Sequence, residues 1–150
     1  MEVRPLTQQA HLDPTIKAGI ESDLRMYRRW LARLEALEQE ARTIAQQYGR
    51  HTAEVSQRQR RRSDPVARAV IKLERIRGEI DDLRVRIRRV EAALEAMTDA
   101  QRTVVVGYYM DGLPRSEIEA RLGVSRSEFW RIRDEAFGVY AYVAGLAQSA

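Results

Sequence analysis

Pro114-Arg-Ser-Glu-Ile-Glu-Ala-Arg-Leu-Gly-Val-Ser-Arg-Ser-Glu-Phe-Trp-Arg-Ile-Arg-Asp-Glu-Ala136 holds two short helices and the corner between them. In the first, Ile118 and Leu122 are four residues apart, so they share one inward face. Gly123 ends that helix, because the left-handed backbone of a helix stop is cheapest for glycine. Val124 plugs the corner. Ser125 starts the second helix, and Glu128 three residues on predicts a capping box. Along that helix Phe129, Ile132 and Ala136 fall on the buried side. Arg126, Ser127, Trp130, Arg131 and Asp134 fall on the other side.

A short helix, a glycine corner and a capped second helix make a helix-turn-helix, whose second helix enters the major groove of DNA. The predicted contact residues are Arg115, Ser125, Arg126, Ser127, Trp130, Arg131 and Arg133. Arginine there is the side chain whose planar fork fits guanine O6 and N7. Trp130 has two readings: packing on thymine methyls, or sitting half-buried against the chain's own tail.

Around this stretch, helices are expected at about 99–110, 114–122 and 126–138, with an apolar tail, Val139 to Leu146, that packs against the helix-turn-helix or a second subunit. Upstream the helices are longer. Asp13-Pro14 opens one that runs to about Gln47, with Gly49 as its stop. Its stripe is Ile16, Ile20, Leu24, Tyr27, Leu31, Leu34, Leu37, Ala41, Ile44 and Tyr48. Ser63-Asp64-Pro65 opens another, with Val66, Val70, Leu73, Ile76, Ile80, Leu83, Ile87, Val90, Leu94 and Met97 as a near-heptad seam. The expected fold is all-α: a long helical hairpin or coiled coil over 1–97, then a helix-turn-helix domain over 98–150. The long helices can pair within one chain or between two chains.

Residues 49–64 break the periodicity with Gln57-Arg58-Gln59-Arg60-Arg61-Arg62-Ser63. Arg58, Arg60, Arg61 and Arg62 either form an arm along DNA phosphates or keep a charged tip solvated. Charge is unevenly divided. Residues 48–97 hold 13 basic and 8 acidic side chains, net +5, whereas residues 98–150 hold 6 and 7, net −1. The helix-turn-helix is therefore short of charge for phosphate neutralisation, so an arm and a dimer would both help. Of 26 basic residues only Lys17 and Lys72 are lysine. That bias suits nucleic-acid contacts, and it also follows from GC-rich coding.

Several classes fall away. With no cysteine among 150 residues there is no disulfide, thiol nucleophile or thiolate zinc site. The longest low-polarity run, Ala136 to Ala147, is shorter than the roughly 20 residues of a membrane span. No secretory leader is readable, and a cytoplasmic location is expected. His11 and His51 have no acid partner in sequence. Glu79, Asp81 and Asp82 point different ways on a helix, so neither an enzyme nor a cofactor or metal is expected.

Ala100-Gln-Arg102, Tyr108-Tyr109, Gly112, Glu117-Ile118, Leu122-Gly-Val-Ser125 and Ala136 resemble region four of bacterial sigma factors. The longer pattern, Ser63-Asp64-Pro65-Val66, a coiled helix, then Gln101-Arg102 through Ala136, is similar to the ArpU/RinA group of phage late-gene transcriptional regulators. The resemblance implies a transcriptional regulator of a phage or prophage in a bacterial host, with double-stranded DNA and RNA polymerase as partners and a homodimer as the favoured oligomer. Pro114 stands where that pattern has serine or threonine. Glu119 stands where it has a small residue, so Glu119 is either splayed outward or the two helices are looser. The alternatives are a phage small terminase subunit and a coiled-coil adaptor that binds RNA polymerase.

Overall fold

The computed structural model describes residues 12–49 and 64–146, which form five α-helices and no strand. The all-α expectation is borne out. Helix α1 spans Pro14–Gly49, α2 Pro65–Ala96, α3 Asp99–Val105, α4 Arg115–Leu122 and α5 Arg126–Val143. Both long helices start as their Asp-Pro pairs predict. The Asp13 carboxylate accepts from Thr15 N at 2.7 Å, and that of Asp64 from Val66 N at 3.1 Å.

The helices divide into two compact units, Met1–Arg28 with Arg86–Ala150, and Arg29–Val85, with both boundaries inside the long helices. In the unit Arg29–Val85, α1 and α2 of one chain run antiparallel. Arg33 Nε donates to Glu79 at 3.1 Å, and further along α1 Glu40 pairs at 3.2 Å with Lys72, which stands earlier on α2. Leu37, Ile44, Ile76, Ile80 and Leu83 bury the seam. Two expected seam positions shift by one residue. Trp30 is buried while Leu31 is exposed, and Ala69 is buried while Val70 is 49% exposed. The larger indole takes the inward site on α1, and the smaller alanine takes it on α2.

In the other unit α3 and α5 meet the last turns of α2 and the first half of α1, and α4 packs on α3 and α5. Thr98 and Gln101 form a reciprocal capping box at the start of α3: Gln101 N donates to the Thr98 hydroxyl at 3.2 Å and Thr98 N to the Gln101 amide oxygen at 3.0 Å. Arg102 donates to the carbonyls of Leu94 and Met97, covering the free end of α2. Residues 99–110 are not one uniform helix, as the sequence suggested. After Val105 the backbone widens into a π-helical turn, Val106–Met110, closed by Asp111 N donating to Val106 O at 2.9 Å. There α4 approaches closely. A β-carbon on Gly107 would stand 3.0 Å from Ile118 Cδ1.

Val104, Ile118, Phe129 and Ile132 form the core of this unit, closed over by Ala100, Tyr108, Leu113, Leu122, Val124 and Trp130. Helix α5 continues five residues beyond its expected end at 138. The apolar tail is its last turns, with Tyr140 and Ala141 fully buried. It stops in a Schellman arrangement, Gly145 N to Tyr142 O at 3.2 Å and Leu146 N to Ala141 O at 2.7 Å. Ile118, 1% exposed, joins all three short helices. Ile118→Ala is expected to lower stability by about 2–5 kcal/mol in a denaturant titration followed by circular dichroism.

Candidate nucleic-acid interface

The corner between α4 and α5 is set by local rules. Gly123 adopts φ of 66° and donates its N–H to Glu119 O, closing α4. Val124 N reaches the same carbonyl at 3.1 Å. Ser125 then caps α5, accepting from Glu128 N at 3.2 Å. The expected capping box is only half made. The Glu128 carboxylate receives the Ser125 hydroxyl at 3.2 Å and leaves the backbone N–H of the cap alone. Glu119 does not splay outward. Its side chain is 16% exposed and pairs with Arg115 at 3.5 Å on the same helix.

The sequence-predicted contact residues separate into two groups. Ser125, Arg126, Ser127 and Arg131 are exposed, and they form the outward surface of the first turns of α5. Among the described residues Arg126 has no hydrogen-bond or ion-pair partner. Arg131 is 62% exposed and donates to Glu135 at 2.8 Å. At about 100° per residue, Arg126 and Arg131 stand about 140° apart, with Ser127 between them. Arg115, at the first position of α4, is 28% exposed, and its Nε is buried with no hydrogen-bond partner.

One expectation is corrected, and of the two readings of Trp130 the half-buried one holds. Arg133 faces inward, with its side chain 17% exposed. It donates to the Tyr109 hydroxyl at 3.1 Å and to Asp134 at 2.9 Å, and Glu21 of α1 lies 3.9 Å away. Its guanidinium also sits over the rings of Trp130 at 4.7 Å and Phe137 at 5.2 Å. Burial works to lower the Arg133 pKa. The hydrogen bond and charge of Tyr109 and the Asp134 carboxylate raise it, and they prevail. Trp130 is half-buried rather than free on the outward face, edge-on to Tyr108 at 5.8 Å and to Phe129 at 4.9 Å. Arg58, Arg60, Arg61 and Arg62 lie outside the described residues.

What sequence reasoning missed is the clasp on the rear of α5. The Tyr140 hydroxyl donates to the Asp23 carboxylate of α1 at 2.7 Å. Arg28, also on α1, pairs with Asp111 and donates to Met110 O at 3.1 Å. These partners lie 82 to 117 residues apart, and no local pattern announces them. Only the inward stripe of α1, with Ile20 and Leu24 fully buried, hints that something packs there.

Residues 87–130 match the family described as Sigma-70, region 4. The chain therefore carries a helix-turn-helix similar to sigma region 4, a family of DNA-binding domains. The match begins in α2 and ends five residues into α5, so it stops before Arg131 and Tyr140. No curated protein and no solved structure gives a significant match. Among the described residues no helix is long and apolar enough to cross a membrane, and no group of three or more His, Cys, Asp or Glu could hold a metal ion.

The clasp carries a pH signature. Burial pushes the Tyr140 hydroxyl well up, and the Asp23 carboxylate adds to it; burial also raises Tyr109. Folding thus favours the neutral phenols. That stabilisation is complete below the ordinary phenol value of about 10, and it is lost as pH rises through the folded values. Stability should fall above about pH 10 in urea titrations. Tyr140→Phe should flatten that fall while costing about 1.5–3 kcal/mol at neutral pH for the lost bond to a carboxylate.

Proposed function

We propose that this protein is a sequence-specific double-stranded DNA-binding regulator, of the phage or prophage type, that lays the first turns of α5 into the major groove. The observation that carries this reading is the outward surface of Arg126, Ser127 and Arg131, on a helix pinned from behind by Phe129 and Ile132. The sigma-region-4-like match supports a DNA-binding, regulator-type role. Domains of that family bind both DNA and RNA polymerase, so RNA polymerase is the proposed protein partner.

In this reading the part after residue 98 contacts DNA, through Arg115 and Ser125 at backbone phosphates and Arg126, Ser127 and Arg131 at base edges. The long helices bring a second copy alongside. Val70, Ile71 and Val85 on α2 are 49%, 59% and 54% exposed, and a homodimer would cover them. Arg58, Arg60, Arg61 and Arg62 add phosphate contacts as an arm. Such a regulator works in the cytoplasm of its bacterial host.

The test is selection of preferred duplexes from a random-sequence library, followed by anisotropy titrations on the selected duplex and on a shuffled duplex of equal composition. Arg126→Ala is expected to weaken the selected complex by about 1–3 kcal/mol and the shuffled complex far less. Equal losses on both would remove α5 as the reading helix. Replacing the four arm arginines with serine should flatten the dependence of log affinity on log salt, at about 0.9 per lost phosphate contact. An unchanged slope would show that the arm touches no phosphate.

A further inference from the structure

We infer that Glu135 is a positioning residue that makes Arg131 a reader of base edges and restrains it from anchoring on phosphate. The inference rests on the DNA-binding reading above. Glu135 Oε1 accepts from Arg131 Nη1 at 2.8 Å, and the two ends of the pair differ sharply in exposure. The arginine is 62% exposed and the glutamate 21%. The two pairs of α4 are even by comparison: Arg121 with Glu117 is open at both ends, at 58% and 45%, and Arg115 with Glu119 is mostly covered at both, at 28% and 16%. In the α5 pair the acid is the fixed end and the guanidinium the presented one.

Helix stability does not account for this pair. The arginine precedes the glutamate by four residues, the weaker of the two orders on an isolated helix. The other acids of α5 have their own partners: Glu128 takes the Ser125 hydroxyl, and Asp134 takes Arg133. Arg126 has none among the described residues. Of the two arginines on the outward surface, one is therefore free and the other is held.

Holding has two chemical consequences. A guanidinium has five N–H donors, and Glu135 occupies one, so a two-pronged edge is left for guanine O6 and N7 in a fixed direction. Without that tether Arg131 would gain contacts to phosphate, an attraction that carries no sequence information. The Glu135 charge also opposes phosphate directly, and so disfavours complexes in which α5 is not seated on its own site.

The experiment uses the full chain, the duplex selected by the wild-type protein, and the shuffled duplex. Glu135→Gln is expected to bind the shuffled duplex several-fold more tightly, with a steeper salt dependence. Discrimination between the two duplexes should fall about tenfold. Glu135→Asp keeps the charge but shortens the reach; it should lose discrimination with no gain on the shuffled duplex. In an Arg131→Ala background, Glu135→Gln should cost much less discrimination than in the wild type, because only the direct charge effect of the glutamate remains. The same loss of discrimination in that background, or full discrimination by Glu135→Gln alone, would overturn the inference. Failure of the wild-type protein to enrich any sequence would instead overturn the DNA-binding reading beneath it.

Discussion

The hydrogen bond from Tyr140 to Asp23 ties the rear of α5 to the start of α1, 117 residues earlier in the chain. A helix of 18 residues is marginal alone in water, and it gains order from the faces it buries. Helix α5 has two such faces. Phe129, Ile132 and Ala136 seal its front half, while Phe137, Tyr140 and Ala141 seal its rear half. At about 100° per residue the two sets are not collinear. Phe137 and Ala141 lie about 20° and 60° round from Arg126, on the side where Trp130 projects. The rear contacts therefore draw in the flank that a helical wheel of residues 126–136 leaves outside. What remains outward along the helix is the arc from Ser127 to Arg131, with Arg126 exposed in the first turn, before the rear contacts begin.

This explains which parts of the structure the sequence could show. The α4–α5 corner follows rules confined to a few residues: a left-handed glycine, a serine cap, and apolar residues four apart. The Asp-Pro starts of the long helices are equally local. The misplacements arise where distant groups compete for a position. Arg133 stands among the contact residues that the sequence suggests, yet the Tyr109 hydroxyl, the rings of Trp130 and Phe137, and Glu21 from α1 hold it inside. The seam slips at Trp30 and Ala69 have the same origin. Periodicity gives the inward stripe to within one residue, and side-chain volume against the facing helix chooses between neighbours. The π-helical turn is a third instance, set where Gly107 meets Ile118 on another helix.

A count of arginines is a poor guide to a DNA surface in this chain. After residue 98 there are six arginines, and five of them are ion-paired within the fold: Arg102 with Asp99, Arg115 with Glu119, Arg121 with Glu117, Arg131 with Glu135 and Arg133 with Asp134. Arg102 and Arg133 do structural work at a helix end and in an aromatic cluster. Exposed pairs of this kind stabilise a fold little, but they remove charge that would otherwise attract phosphate without regard to sequence.

The electrostatics therefore separate affinity from specificity. Nonspecific affinity scales with the number of phosphates neutralised, and a module of net −1 with most of its cations paired neutralises few. Base discrimination depends on a small number of donors held in the right direction, and it gains from weak background binding, because selectivity is the difference between the two. On the proposed DNA-binding reading, a helix with one unpaired and one tethered arginine on its outward surface favours discrimination at low intrinsic affinity. On that reading, useful occupancy of a site has to come from elsewhere in the assembly, through added phosphate contacts or through a second copy that engages a second half-site.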